Sequence, residues 1–249
     1  MEPNESLDLE QSAPRHAAKQ IEIPADPELG NWRVLHIVLL VLAVAGFTAL
    51  LVLIILNKMG PLPFDQSILD FMVDHVRSEK LTKYVLFVTD LAMPAALVVV
   101  LLGVGTFSPG PAPVVATALA GAGGWLINLG IKFLVNRPRP PEALRLAVET
   151  SSSFPSSHAV LVMSFYGFLV WLVWHFQRNN AWRITVSVLL ALVIALIGLT
   201  RIYLGVHWTS DVLAGMLLGF AWLVCFTRMV APRMLAKIPT RNQEEPARF

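Results

Sequence analysis

The sequence predicts an all-α fold, a polytopic membrane protein in which six transmembrane helices form one bundle between two polar tails. Three observations predict it. Of the 249 residues, 55% are hydrophobic and 14% charged, and the mean hydropathy is +0.63, a balance that ordinary soluble domains do not carry. The apolar residues gather into six runs, each long enough to cross a bilayer as a helix. The strongly polar residues of the last four runs sit at the run ends, on one membrane face.

Residues 1–33 are polar, of mixed charge and with several prolines, and read as a tail without a core of its own. Val34–Asn57 is the first span. A long charged tail precedes it, as it does not precede a secretory signal, so the span is read as retained. Lys58–Lys83 is a connection with an amphipathic piece. Ile68, Phe71, Met72 and Val76 fall on one helical face, with Asp70, Asp74, Arg77 and Glu79 elsewhere. This piece either lies on the membrane surface or packs on the bundle.

Tyr84–Phe107 is the second span and contains Asp90 and Pro94. A carboxylate at that depth either serves function or bonds to a neighbouring helix near the interface. Ser108-Pro109-Gly110-Pro111 is a tight turn. The third span, Ala112–Val135, carries Gly121, Gly123 and Gly124, small residues that let helices approach closely. A polar loop, Asn136–Ser157, leads to the fourth span, His158–Phe176. The fifth is Trp182–Thr200 and the sixth Trp208–Val230, with Gly215 and Gly219 as another small-residue pair. The membrane domain is therefore residues 34–231, and a basic tail occupies 232–249.

Charge and cysteine content exclude several classes. The net charge is only +2 with no basic tract, so no nucleic-acid partner is expected. The single cysteine, Cys225, lies in an apolar helix, so one chain can build neither a disulfide nor a cysteine metal site. Six spans place both termini on one side. Once Lys132, Arg137, Arg139 and Arg201 are set aside as site residues, the remaining excess of Lys and Arg lies with the termini. That puts the termini in the cytoplasm and the polar loops around 132–158 and 201–211 on the extracytoplasmic face.

Those loops carry the chemistry. The stretch Arg201-Ile-Tyr-Leu-Gly-Val-His207-Trp-Thr-Ser-Asp211 places His207 and Asp211 four apart, on one face if helical. A carboxylate beside an imidazole holds one nitrogen as N–H and frees the other as base or nucleophile. Arg201 nearby suits a phosphate, which its planar fork can grip. Lys132-Phe-Leu-Val-Asn-Arg-Pro-Arg139-Pro140 adds two further cations, and Phe154-Pro155-Ser156-Ser157-His158 adds two hydroxyls and a second histidine. So many cations beside lipid are costly unless an anion meets them. Ser156 or Ser157 would cap the fourth span, whose N-terminus would offer N–H groups to the same anion.

In order and spacing the three segments resemble the three-part signature of the type 2 phosphatidic acid phosphatase family. Its members are membrane lipid phosphate phosphatases whose active sites are related to those of vanadium haloperoxidases and glucose-6-phosphatase. The resemblance covers residues 60–225. Two positions depart from the usual pattern: Ser157 stands where the second motif has glycine, and Thr200 where the third begins with serine. Neither departure removes a catalytic group.

The resemblance implies a mechanism. His207 is the nucleophile, and Asp211 fixes its tautomer and stabilises the imidazolium. Lys132, Arg139, Arg201, Ser156 and the backbone near Ser157 hold the phosphoryl oxygens, and His158 protonates the leaving group. A phosphohistidine intermediate is then hydrolysed, with no metal and no cofactor. One histidine must be neutral and the other protonated, which predicts a bell-shaped pH profile. Arg137 and Asn128 lie close enough to line the same cavity, though the pattern does not demand them.

The expected activity is removal of phosphate from a lipid phosphomonoester or pyrophosphate in a bacterial inner membrane. Undecaprenyl pyrophosphate, phosphatidylglycerophosphate and phosphatidic acid are the candidate substrates. Two other classes fit part of the pattern. Against a catalytically silent lipid-phosphate binder or carrier stands the presence of every key group. Against a transporter with a midplane anion site stand the placement of the polar groups at helix ends and the lack of an internal repeat. The sequence does not set the oligomeric state.

Overall fold

The structure is a computed structural model that describes residues 27–108 and 110–236, with side chains from residue 34. Most of the N-terminal tail expected over 1–33, and of the basic tail over 232–249, lies outside the described residues. Two compact units divide the chain at residue 35, and apart from the start of the first helix everything that follows belongs to residues 36–249. The described residues form helices and connecting turns, with no strand among them.

Among the described residues nine α-helices run in order: α1 (Pro27–Leu56), α2 (Pro63–Phe71), α3 (Glu79–Thr89), α4 (Pro94–Phe107), α5 (Ala112–Leu134), α6 (Ser157–Phe176), α7 (Asn180–Tyr203), α8 (Thr209–Met229) and α9 (Ala231–Leu235). Five are long and apolar enough to cross a membrane, Val34–Leu56 being the apolar part of α1, and the bent pair α3–α4 makes a sixth. With the bent pair taken as one span, each of the six expected spans has a counterpart, every one with an end moved by one to five residues.

The second span differs most. It begins at Glu79 and is broken, its halves meeting at 58° across Met93. Pro94 has no N–H to continue the ladder and drives the preceding residue out of the helical region. Met93 is accordingly extended, with φ −79° and ψ 151°. The break frees the Leu91 carbonyl, which accepts a hydrogen bond from Tyr166 Oη at 2.7 Å. Asp90 stands at the break with its side chain exposed.

Helix α6 is the centre of the bundle, packed by α5, α7 and α8. The glycines explain why two of these come so close. A Cβ at Gly124 of α5 would meet Ser164 Oγ of α6 at 2.2 Å, and one at Gly215 of α8 would meet the Ser156 carbonyl at 2.8 Å. At Gly219 it would meet the Val160 carbonyl at 2.7 Å. Only glycine permits those approaches, which bring the N-terminus of α6 against that of α8.

The amphipathic piece takes the second of its two expected positions. Helix α2 and the π-helical turn after it (Met72–Val76) pack on the bundle. Ile68 and Met72 join a cluster with Ala159, Ile202 and Val212. Phe71 is the one member of the expected apolar face left exposed.

Candidate active site

The site forms where the polar ends of α5, α6, α7 and α8 meet, and the turn between α7 and α8 sets its centre. Gly205 ends α7 with φ +67°, a left-handed conformation that glycine adopts without strain. A Cβ there would also lie 2.5 Å from the Leu144 carbonyl. The turn puts Arg201 in the last turn of α7 and His207 just outside α8. His207 precedes Trp208, the N-cap of α8, and so is not on a helix. The expected shared helical face does not exist, yet the two side chains remain neighbours, with His207 Nδ1 3.7 Å from Asp211 Oδ2. That exceeds hydrogen-bond length.

Asp211 is fully buried and otherwise engaged. It accepts from Trp208 N at 2.9 Å, the acid at the third helical position reaching back to cap its own helix. It also accepts from Ser153 Oγ and from Arg137 Nη1, both at 2.5 Å.

Arg139 Nη1 lies 3.2 Å from His207 Nε2. An arginine only donates, so Nε2 is the acceptor and the neutral ring carries its proton on Nδ1, the side facing Asp211. The same guanidinium donates to the Val206 carbonyl at 2.6 Å and to the Ser151 carbonyl at 2.8 Å. Burial pushes the His207 pKa well below the ordinary histidine value, and Arg139, Arg201 and Lys132 add to the shift, with the Ser153 backbone opposing it. The imidazole is therefore neutral at neutral pH, as a nucleophile must be.

Lys132 donates to the Ser152 carbonyl. Arg201 donates to Thr89 Oγ1 at 3.0 Å and to Glu149 Oε1. Glu149 Oε2 lies 3.4 Å from Arg139 Nη2, so one carboxylate joins two of the three cations. His158 is within electrostatic reach of Arg201, His207, Arg139 and Lys132. Lys132, Arg139, Arg201, His158, His207 and Asp211 are thus all brought together.

The serines are placed differently from expectation. Ser156 occupies the N-cap position of α6, but its side chain does not cap. Its N–H donates to the Asp211 carbonyl at 3.1 Å, while its buried Oγ has no partner among the described residues. Ser157 Oγ accepts from Asn128 at 2.8 Å, so Asn128 orients that serine from one turn before Lys132. No hydrogen bond joins either hydroxyl to the three cations among the described residues.

Three residues that sequence reasoning passed over bear on the site. Glu149 is an isolated acid in a polar loop with nothing to mark it. Thr89 is an ordinary helix-end threonine. Asp65, two residues after Pro63 in the first turn of α2, has the ordinary look of a helix-capping acid, yet it is fully buried and 2.9 Å from Arg137. Arg137, noted but not demanded by the pattern, is fully buried between Asp65 and Asp211.

Fold and site together define an integral membrane protein with a buried neutral histidine beside three cations, where its helix ends converge. A family model for the PAP2 superfamily matches residues 112–235, which include every residue nominated from the sequence, and the chain belongs to that family. Phosphatidylglycerophosphatase B of Bacillus subtilis is 36% identical over 95 residues, which cover 38% of this chain and 46% of that protein. Human dolichyldiphosphatase 1 is 34% identical over 132 residues, covering 47% of this chain and 55% of that one. The matches thus span about half the length of these relatives. The crystal structure of a transmembrane PAP2 type phosphatidylglycerolphosphate phosphatase from Bacillus subtilis has a similar fold, with TM-score 0.66 and 24% identity over 76% of this chain and 94% of that one.

Proposed function

We propose that this protein is a lipid phosphatase that hydrolyses a lipid phosphomonoester or lipid diphosphate through a phosphohistidine intermediate, without a metal. The observation that carries the proposal is the contact of His207 Nε2 with Arg139 at 3.2 Å, beside a second arginine linked to the first by one carboxylate. A phosphoryl group taking the place of that carboxylate would meet both guanidinium groups with the neutral nitrogen next to it.

In the reaction, His207 Nε2 attacks phosphorus and the bond to the leaving oxygen breaks. His158 delivers a proton to that oxygen. Lys132, Arg139 and Arg201 balance the charge on the phosphoryl oxygens, helped by Ser156 and the backbone near Ser157. The Nδ1 proton faces Asp211, whose charge stabilises the cationic phosphoimidazole. His158, now neutral, draws a proton from water as the water attacks phosphorus, the bond from phosphorus to Nε2 breaks, and inorganic phosphate leaves the neutral His207 ring behind.

The lipid chain has a place beside this site. An apolar cleft of about 350 Å³ between α3 and α7 is lined by Val85, Val88, Leu196, Leu199, Thr200 and other residues, and Val88 adjoins the Thr89 that Arg201 contacts. Undecaprenyl pyrophosphate, phosphatidylglycerophosphate and phosphatidic acid fit the chemistry. The excess of Lys and Arg on the side of the termini supports an extracytoplasmic site in a bacterial inner membrane.

The test is phosphate release by purified protein in detergent with EDTA, on those three lipids and a soluble phosphomonoester, with His207→Ala in parallel. Lipid-selective release that survives EDTA and is lost in His207→Ala is expected. Lipid binding without release would make the protein a silent binder instead.

A further inference from the structure

The phosphate chemistry uses neither Asp65 nor Arg137, yet both side chains are completely buried. Asp65 is also outside residues 112–235, the part of the chain that the family model covers. Its four hydrogen bonds have a clear pattern. One closes its own helix, from Leu62 N at 2.9 Å. Two come from Ser210, from the backbone N–H and from Oγ, each at 2.7 Å. Ser210 lies in the first turn of α8, so Asp65 caps from α2 the helix that carries Asp211. The fourth comes from Arg137 Nη2 at 2.9 Å.

Arg137 carries the connection onward. Nη1 donates to Asp211 Oδ1 at 2.5 Å and to Ser210 Oγ at 2.8 Å, and Nη2 also donates to the Gly60 carbonyl at 2.9 Å. One guanidinium is thus shared by two carboxylates. With all three groups ionised, the set has one net negative charge directly behind His207. Were Asp65 neutral, the whole charge of Arg137 would fall on Asp211. Asp211 would then have little field left to offer a cationic imidazole, and at low dielectric that loss is large.

We propose that Asp65 is a positioning residue for the nucleophile. It seats the first turn of α8 through Ser210 and, by sharing Arg137, leaves Asp211 enough charge to stabilise the cation on His207. The proposal rests on the reading of His207 as nucleophile.

The experiment measures kcat and KM for a lipid phosphate with Asp65→Asn, Arg137→Met and the double variant in full-length protein, with thermal unfolding as control and His207→Ala alongside. Asp65→Asn is expected to lower kcat by about 10–100-fold with KM changed less than about twofold, because a field behind the nucleophile acts on the transition state more than on bound substrate. Arg137→Met should cost at least as much, because Asp65 and Asp211, buried side by side without a counter-ion, cannot both stay ionised. Asp65→Asn added to Arg137→Met should then cost less than about twofold or restore some activity, because it removes one of two carboxylates left without a counter-ion.

Folded Asp65→Asn protein with wild-type kcat, or losses that multiply in the double variant, would overturn the proposal. If Asp65→Asn does not fold, Ser210→Ala removes one hydroxyl and keeps all three charges. It should lower kcat and leave KM in place, and an unchanged kcat would overturn the proposal. Retained activity in His207→Ala would instead refute the nucleophile assignment itself.

Discussion

On the proposed function a substrate phosphate competes with Glu149 for Arg139 and Arg201, so removing the carboxylate should tighten phosphate binding. The substitution is Glu149→Gln, which keeps the volume and removes the charge. In the structure Glu149 Oε2 is 3.4 Å from Arg139 and Oε1 bonds Arg201. Hydrogen bonds to charged groups contribute about 1.5–3 kcal/mol each when well formed, but one here is long and the side chain is 26% exposed. Discounted for solvent screening, the two together are worth about 1–2 kcal/mol, or about 5–30-fold in an equilibrium constant.

That free energy is lost when phosphate displaces Glu149, and it is not at stake in Glu149→Gln. The assay is competitive inhibition by inorganic phosphate of release from a lipid substrate, with thermal unfolding to confirm an intact fold. The inhibition constant should fall by the factor above. An unchanged or larger inhibition constant in a folded variant would refute the competition and would mean that Glu149 helps to bind phosphate.

Three further outcomes follow from the geometry. Gly215→Ala puts a methyl group 2.8 Å from both the Ser156 carbonyl and Ala159 Cβ, which should cost about 1–3 kcal/mol in unfolding experiments and reduce activity by displacing the start of α6. Arg201→Lys keeps the charge but not the fork that reaches Thr89 and Glu149 together, so kcat/KM should fall by about 100-fold; a loss under threefold would contradict the role given to Arg201. His207 has its pKa lowered in the folded protein, so below the unfolded value of about 6.5 only the unfolded chain binds this proton, and the His207 contribution to stability falls by up to about 1.4 kcal/mol per pH unit. Unfolding temperatures between pH 7.5 and 5.5 should therefore drop more steeply in wild type than in His207→Gln.

The spans were legible because lipid imposes an apolar length that no other constraint mimics. The 58° bend within the second was not, although Pro94 was visible. A proline marks a weak point, but whether the helix breaks there depends on a partner for the freed carbonyl, and Tyr166 supplies it from another helix. The cations and His207 could be read because charges in an apolar stretch need a reason. Asp65 could not, because Pro63 and its place in the first turn of α2 already gave it a local one. Its second role appears only when Ser210, 145 positions away, comes into contact with it.

The His207–Asp211 pair shows the same limit from the other side. Their spacing did bring them together, but at 3.7 Å and across a helix start, not along a helical face. At a helix start a carboxylate also has exposed N–H groups to satisfy, and Asp211 turns to Trp208 N as well as to Ser153 and Arg137. Its effect on the imidazole is therefore a matter of field more than of a direct bond, and a field depends on every charge nearby. Arg137 weakens that field and Asp65 restores it. On the proposed mechanism the strength of the nucleophile is in this way set partly by a helix that lies about 140 residues before it in the sequence, in a part of the chain where none of the three motifs falls.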